Sequence, residues 1–255
     1  MNKKIVDIIK NYSFLKNERD FKLELLENQG LCNTTYLLKT VTNRYIIKRF
    51  DKLPNNNVSK KAEFKIQLLA YKKRIAPKPI FFDIKNRIMI SAYQKSYHKF
   101  SLSKTDLHSI AKTITKLHKI KIHTKAFDIK KYFRKNCKGI DTKIKLTILK
   151  LQNYKRDLVL CHNDLNPQNI LFGEKTRFID WEFACMNDRY FDIASIIVEF
   201  DLNTKDENYF LHSYFKHKTP NREKLKVYKT LYKHLCKIWF DIISQKKGIK
   251  CQEQF

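Results

Sequence analysis

The chain has 255 residues, 43% of them apolar, enough for one large domain or two modest ones with a real core. No run approaches the roughly 20 apolar residues that a membrane-spanning helix needs. The polar start MNKKIVDIIKNYSF, with no small-residue cleavage site after it, points to a cytoplasmic protein. The formal net charge of +28 raises nucleic acid as a partner. The lysines, however, are spread along the whole chain, and no aromatic residues interleave with them as a stacking platform, so a nucleic-acid groove is not expected.

In chain order, residues 3–12 predict a short helix. Phe21, Leu23 and Leu25 alternate with Lys22 and Glu24, the period of a strand. Gly30, the only glycine in the first half, sits in the turn before a second strand over 36–39. A glycine lets main-chain N–H groups approach a phosphate, although one glycine is a weak signal. No Walker A run exists, so a P-loop is excluded as the phosphate binder. Residues 44–50 predict a third strand. Its Lys48, embedded among apolar and aromatic residues, is either a solvent-facing strand lysine or a cation placed for the α- and β-phosphates of ATP. Helical spacing follows over 59–74, with Glu63 in its first turns as the acid available to hold a lysine. Pro77 and Pro79 close that region, and two strands follow over 80–83 and 87–91. The second runs into Ala92-Tyr93-Gln94, an open backbone edge suited to an adenine. These elements make an N-terminal lobe over 1–95.

Ser103-Lys-Thr-Asp106 predicts a capped helix start, and Leu107, Ile110, Ala111, Ile114 and Leu117 form its apolar stripe. Another helix is expected over 141–154. The stretch LVLCHNDLNPQNILFGEKTRFIDWE, residues 158–182, then holds three short apolar runs that deliver Asp164, Asn169 and Asp180 from a tight hairpin. Two carboxylates and a carboxamide suit Mg²⁺ and a hydroxyl awaiting its proton, the constellation of phosphoryl transfer from ATP. A polar hairpin of a generic α/β domain is the bland alternative. A largely apolar helix over 189–200 is interrupted by Asp192 and Glu199, and buried acids cost several kcal/mol unless paired. Asp192 is expected to brace the catalytic loop, and Glu199 is more open to a ligand role. Helices over 205–217 and 221–247 finish the chain. Trp239 in the last is a core residue or part of a cation-binding face.

Residues 162–201 contain eight acids and three bases, net −5, so the remainder of the chain carries +33. An acidic island in a basic protein fits a metal site and a cationic substrate. Six cysteines, none spaced C-x-x-C or paired with histidine at zinc-finger spacing, predict reduced thiols rather than structural zinc.

His162-Asn-Asp164-Leu-Asn-Pro-Gln-Asn169, Ile179-Asp180-Trp-Glu182-Phe-Ala and Phe191-Asp192-Ile-Ala closely resemble the choline/ethanolamine kinase family, bacterial choline kinases above all. The resemblance implies an α+β, bilobal, protein-kinase-like fold. A small N-terminal antiparallel-sheet lobe (1–95) would bind the nucleotide, and a larger, mainly helical C-terminal lobe (96–255) would hold the catalytic and substrate sites. It implies Asp164 as catalytic base or hydroxyl-orienting residue, Asn169 and Asp180 as Mg²⁺ ligands, and Lys48, held by Glu63, on the α- and β-phosphates. Gly30, Asn33, Thr34 and Thr35 would cover the phosphates, with Tyr93 beside the adenine. Glu182, Glu199 and Trp239 would form the substrate's cation pocket. A quaternary ammonium has no N–H to donate, so only a carboxylate field and aromatic faces, about 0.5–2 kcal/mol each, can hold it. The expected reaction is transfer of the γ-phosphate of ATP to a small amino alcohol, choline foremost. Thiamine, an aminoglycoside or a sugar are same-fold alternatives, and a nucleotide-binding pseudokinase or basic polyanion-binding module is one of another class. Asp180 is followed by Trp-Glu rather than Phe-Gly, and only eight residues separate it from Arg189, too few for a peptide platform. Cys236 and Trp239 stand where animal choline kinases tend to show two tryptophans.

Overall fold

Alternation of apolar and charged side chains sets strand β1 (Phe21–Leu25), which pairs antiparallel with β2 (Asn33–Thr40). The computed structural model describes residues 2–16, 18, 20–27, 33–50, 59–136 and 142–247. Gly30 lies outside the described residues. Two compact units emerge from the packing, Met1–Ser96 and Tyr97–Phe255.

In the first unit, β3 (Arg44–Phe50), β4 (Pro79–Asp83) and β5 (Ile88–Ala92) complete a five-stranded antiparallel sheet of order β1-β2-β3-β5-β4. β2 starts at Asn33, three residues before the expected strand. The ladder to β3 runs unbroken from Asn33↔Phe50 to Lys39↔Arg44, and the β-branched Thr34 and Thr35 suit a pleated strand. One face of the sheet buries Tyr36, Leu38, Ile47 and Ile90 against Ile5 and Ile9 of helix α1 (Asn2–Ile9). Helix α2 (Lys60–Lys72) begins where the Ser59 hydroxyl accepts from the Ala62 N–H, an N-cap worth about 1 kcal/mol.

The second unit opens with α3 (Lys104–Leu117), started by the expected capping box between Ser103 and Asp106 and burying its apolar stripe. The short helix α4 (Ile129–Asn136) was not anticipated. Its run IKKYFRKN carries a single fully buried side chain, Phe133, too little for a visible stripe. Helix α5 (Thr142–Lys150) follows. Strands β6 (Leu158–Cys161), β7 (Ile170–Leu171), β8 (Arg177–Phe178) and β9 (Cys185–Asp188) then form two separate two-stranded sheets. This corrects the expectation of one tight hairpin. β7 and β8 do form a hairpin, but β6 pairs antiparallel with β9, the half-polar run Cys-Met-Asn-Asp whose pattern does not announce a strand. Helices α6 (Arg189–Glu199), α7 (Thr204–Phe215) and α8 (Arg222–Lys247) close the unit, with α3 packed on α7 and α6 on α8. Among the described residues no helix is long and apolar enough to cross a membrane.

Candidate active site

Strand β6 ends at Cys161, and the chain turns at once. The buried His162 and the adjacent Asn163 each donate a main-chain N–H to Asp192 of α6, at 2.9 Å to Oδ2 and 2.9 Å to Oδ1. Asn163 sits at φ 66°, a left-handed conformation that costs most residues energy and that asparagine tolerates best. Its side chain is tied down as well: Nδ2 donates to the Phe183 carbonyl at 2.9 Å, and Oδ1 accepts from Asn187 Nδ2 at 2.8 Å. This strained, over-determined residue aims the next one, Asp164.

Both carboxylate oxygens of Asp164 accept amide hydrogens, Oδ1 from Asn166 at 3.1 Å and Oδ2 from Asn169 at 2.7 Å. Asn166 in turn caps the 3₁₀ turn Pro167–Asn169 by accepting from the Gln168 and Asn169 N–H groups. The carbonyl of Asn169 receives the Ile179 N–H at 3.0 Å, and His162 Nε2 donates to the Ile179 carbonyl at 2.9 Å. These bonds lock the end of β8 against the loop. The following residue, Asp180, has φ 63°, a second left-handed position next to the chemistry. Trp181 is buried against the His162 ring, and Glu182 is buried beside it. Burial, reinforced by the negative charges of Asp180, Glu182 and Glu199, pushes the Asp164 carboxyl up to about 7.

Asp192 is fully buried and also accepts from His118 Nε2 at 3.1 Å, whose Nδ1 lies 2.6 Å from the Tyr214 hydroxyl. Ligand atoms of His118, Cys161 and Asp192 lie within 4.8 Å of one another. Both Asp192 oxygens are already taken by main-chain N–H groups, so the cluster braces the loop. His118, Tyr214, Asn163 and Asn166 are site residues that sequence reasoning missed. Asn163 and Asn166 both lie inside the recognised motif, and the cap signal of Asn166, asparagine before proline, was available.

Glu199 is half-buried at the end of α6, where Tyr232 of α8 donates its hydroxyl to Oε1 at 2.8 Å and the Cys236 thiol approaches the same oxygen at 3.9 Å. Trp239 is half-buried farther along α8, edge-on to Phe240 at 5.4 Å. Among the predicted substrate residues, Glu182 and Glu199 share the field at Asp164; Trp239 makes its ring contact with Phe240.

In the first unit, Lys48 Nζ donates to Glu63 Oε1 at 2.9 Å, and Lys60 Nζ reaches Oε2 at 2.8 Å, with Glu63 only 2% exposed. Asn33, Thr34 and Thr35 open β2, with Thr35 directly opposite Lys48. The Tyr93 N–H is spent on the Arg44 carbonyl at 3.0 Å, and its own carbonyl accepts from Gln94 Nε2 at 3.1 Å. The backbone edge at Tyr93 is therefore less open than the sequence suggests.

Asn169 and Asp180 offer a carboxamide and a carboxylate, hard oxygen donors of the kind Mg²⁺ takes. Burial, with the charges of Asp180, Glu182 and Glu199 added to it, raises the proton affinity of Asp164, and such a gathering of acids fits a divalent cation.

The family model for choline/ethanolamine kinases matches residues 28–238. The chain belongs to the choline/ethanolamine kinase family. A Protein LicA homolog from Metamycoplasma hominis is 29% identical over 239 residues, 86% of this chain and 88% of that one. Protein LicA of Haemophilus influenzae is 37% identical over 75 residues, 28% of this chain, and this match spans only 22% of that relative's length. The crystal structure of choline kinase LicA from Streptococcus pneumoniae superposes with a TM-score of 0.78 at 25% identity, covering 99% of this chain and 93% of that one. The α+β kinase-like fold implied by the resemblance is thus the fold of this family member, and small-molecule phosphotransfer is the chemistry of its family.

Proposed function

We propose that this chain is an ATP- and Mg²⁺-dependent kinase that moves the γ-phosphate of ATP to the hydroxyl of choline. The observation that carries the reading is the Asp164 carboxylate, held by two carboxamides in a negative field, in a chain of the choline/ethanolamine kinase family. As the substrate oxygen bonds to the γ-phosphorus and the bond to ADP breaks, the hydroxyl proton passes to Asp164. A carboxylate whose pKa lies near 7 is matched to that task at neutral pH. Bound Mg²⁺ supplies neutralisation of the phosphate charge, and Asn169 and Asp180 are the residues to hold it.

The first unit is the nucleotide-binding part. Lys48, oriented by the buried Glu63, takes the α- and β-phosphates, and the segment with Gly30, Asn33, Thr34 and Thr35 covers them, with Tyr93 beside the adenine. In the second unit Glu182, Glu199 and Trp239 take the cation. The substrate is a small cationic amino alcohol, and the reaction is placed in the cytoplasm, the compartment of ATP.

A coupled ADP-release assay across choline, ethanolamine, thiamine, aminoglycosides and sugars tests the reading. Turnover with choline above all others is expected. Turnover with a neutral sugar alone moves the chain to a different substrate class. No turnover with any alcohol, together with a salt-dependent gel shift on DNA, makes it a polyanion-binding module.

A further inference from the structure

Helix α8 offers Tyr232 and Cys236 four residues apart, on one stripe of the helix, and both bonds end on one oxygen of Glu199. The Tyr232 ring is buried edge-on to Phe191 at 5.5 Å, so its hydroxyl has one place to point. Burial pushes the Tyr232 hydroxyl well above its ordinary range and the Cys236 thiol up to about 12. Both groups therefore keep their protons at any physiological pH and face Glu199 as donors only. Burial also raises the proton affinity of Glu199, while the two donors oppose that rise. Trp239 lies three residues beyond Cys236 on the same stripe.

We infer that Tyr232 and Cys236 are positioning residues for the substrate cation: they saturate Oε1 of Glu199 and thereby hold its carboxylate ionised, in one orientation, with Oε2 presented to the ammonium group. This rests on the reading of the chain as a kinase of a cationic alcohol. A quaternary ammonium donates no directional hydrogen bond, so its affinity depends on where the negative charge is held rather than on a donor–acceptor pair. A fixed, ionised carboxylate is the device that such a ligand needs. Neither donor touches the reacting atoms, so the effect belongs on substrate affinity and not on the chemical step.

The test is steady-state kinetics on full-length Tyr232→Phe and Cys236→Ala with choline, with its uncharged isostere 3,3-dimethylbutan-1-ol, and with ATP. Tyr232→Phe removes one oxygen and keeps the ring, and a melting temperature equal to that of the wild type shows that packing is intact. Loss of a hydrogen bond to a charged group predicts a KM for choline raised about 5- to 10-fold, with kcat, KM for ATP and KM for the isostere moved by less than about twofold. Cys236→Ala, which loses a longer and weaker donor, is expected to raise KM for choline by about twofold with the same selectivity. A choline KM unchanged in both variants overturns the inference, as does an equal rise for the uncharged isostere. A wild type that phosphorylates only neutral alcohols overturns the reading of the substrate as well. A wild type active on choline, with variants that fail to discriminate charge, overturns this inference alone.

Discussion

Asp192→Asn is the most informative single change outside the reacting groups. The side chain is fully buried and its two oxygens serve two main-chain N–H groups, those of His162 and Asn163, each at 2.9 Å. Asparagine has the same shape but one carbonyl oxygen and one NH₂. Whichever way the amide turns, one of the two N–H groups then faces a donor. Stranding a buried main-chain N–H costs about 1–3 kcal/mol, and the surviving bond loses its charge assistance, a further ~1 kcal/mol. The expected loss of about 2–4 kcal/mol is a large share of the roughly 5–15 kcal/mol by which a domain is stable. The loss is also local. Asn163 holds φ 66° only while its N–H and side chain are tied, so relaxation there swings Asp164 out of line. Urea unfolding followed by circular dichroism should show the lower midpoint. Turnover at saturating substrates should fall at least about tenfold, since a displaced base fails on orientation. An Asp192→Asn protein with the stability and kcat of the wild type would refute the idea that this brace aims the catalytic carboxylate.

Other expectations follow from the same geometry. The acid limb of kcat/KM should lie near pH 7, where Asp164 takes up its proton, and activity should fall about tenfold per pH unit below it. Stability has the opposite slope. Because the folded-state pKa is raised, the protonated carboxyl favours the fold at low pH, and that contribution is lost as pH rises from about 4 to about 7. Without metal, Asp164→Asn should remove this slope from urea midpoints. Lys224→Met breaks a buried ion pair with Asp188 at 2.6 Å, and Asp188 also accepts the Asp157 N–H and caps α6. It should cost about 3–5 kcal/mol in urea unfolding while leaving KM for choline unchanged. Glu63→Gln frees Lys48 from its carboxylate, and KM for ATP should rise about tenfold with the choline KM constant.

Local chemistry was legible and long-range partnership was not. His162, Asp164, Asn169 and Asp180 stand within 19 residues of one another, so spacing alone reveals the set. The capping box of α3 and the apolar runs of β6, β7 and β8 are likewise written in short windows. His118 and Tyr214 join the brace from 74 and 22 residues away from Asp192 in sequence, and nothing in their own neighbourhoods marks them. Tyr232, and the contact of Cys236 with Glu199, were hidden for another reason. On an amphipathic helix such as α8, residues at i and i+4 read as core, and only the carboxylate across from them makes them more than that. Strand β9 shows the limit most simply: four residues of mixed polarity become a strand because β6 is there to pair with them.

The acidic island of residues 162–201, net −5 in a chain of +28, acquires internal structure once its members are placed. Asp188 is met by the Lys224 ammonium, and Asp192 by two main-chain N–H groups. Among the described residues Asp164 has only carboxamides on its oxygens, with Asp180, Glu182 and Glu199 adding to its field. Burial and that field together raise the carboxyl to about 7, and the negative charge gathered there can be relieved by a proton, by a divalent cation or by an ammonium group. These relievers must compete, because each lowers the advantage of the others. Mg²⁺ binding at pH 7 should therefore release protons, up to about half a proton per protein from Asp164, and the release should vanish by about pH 9, where that carboxyl is already ionised. Mixing unbuffered protein and MgCl₂ with a pH indicator measures it directly. The Asp164→Asn protein, which has no proton to give, should bind the metal with no such release. A wild-type protein that binds Mg²⁺ at pH 7 without releasing protons would show that the acids at Asp164 do not share one field with the metal.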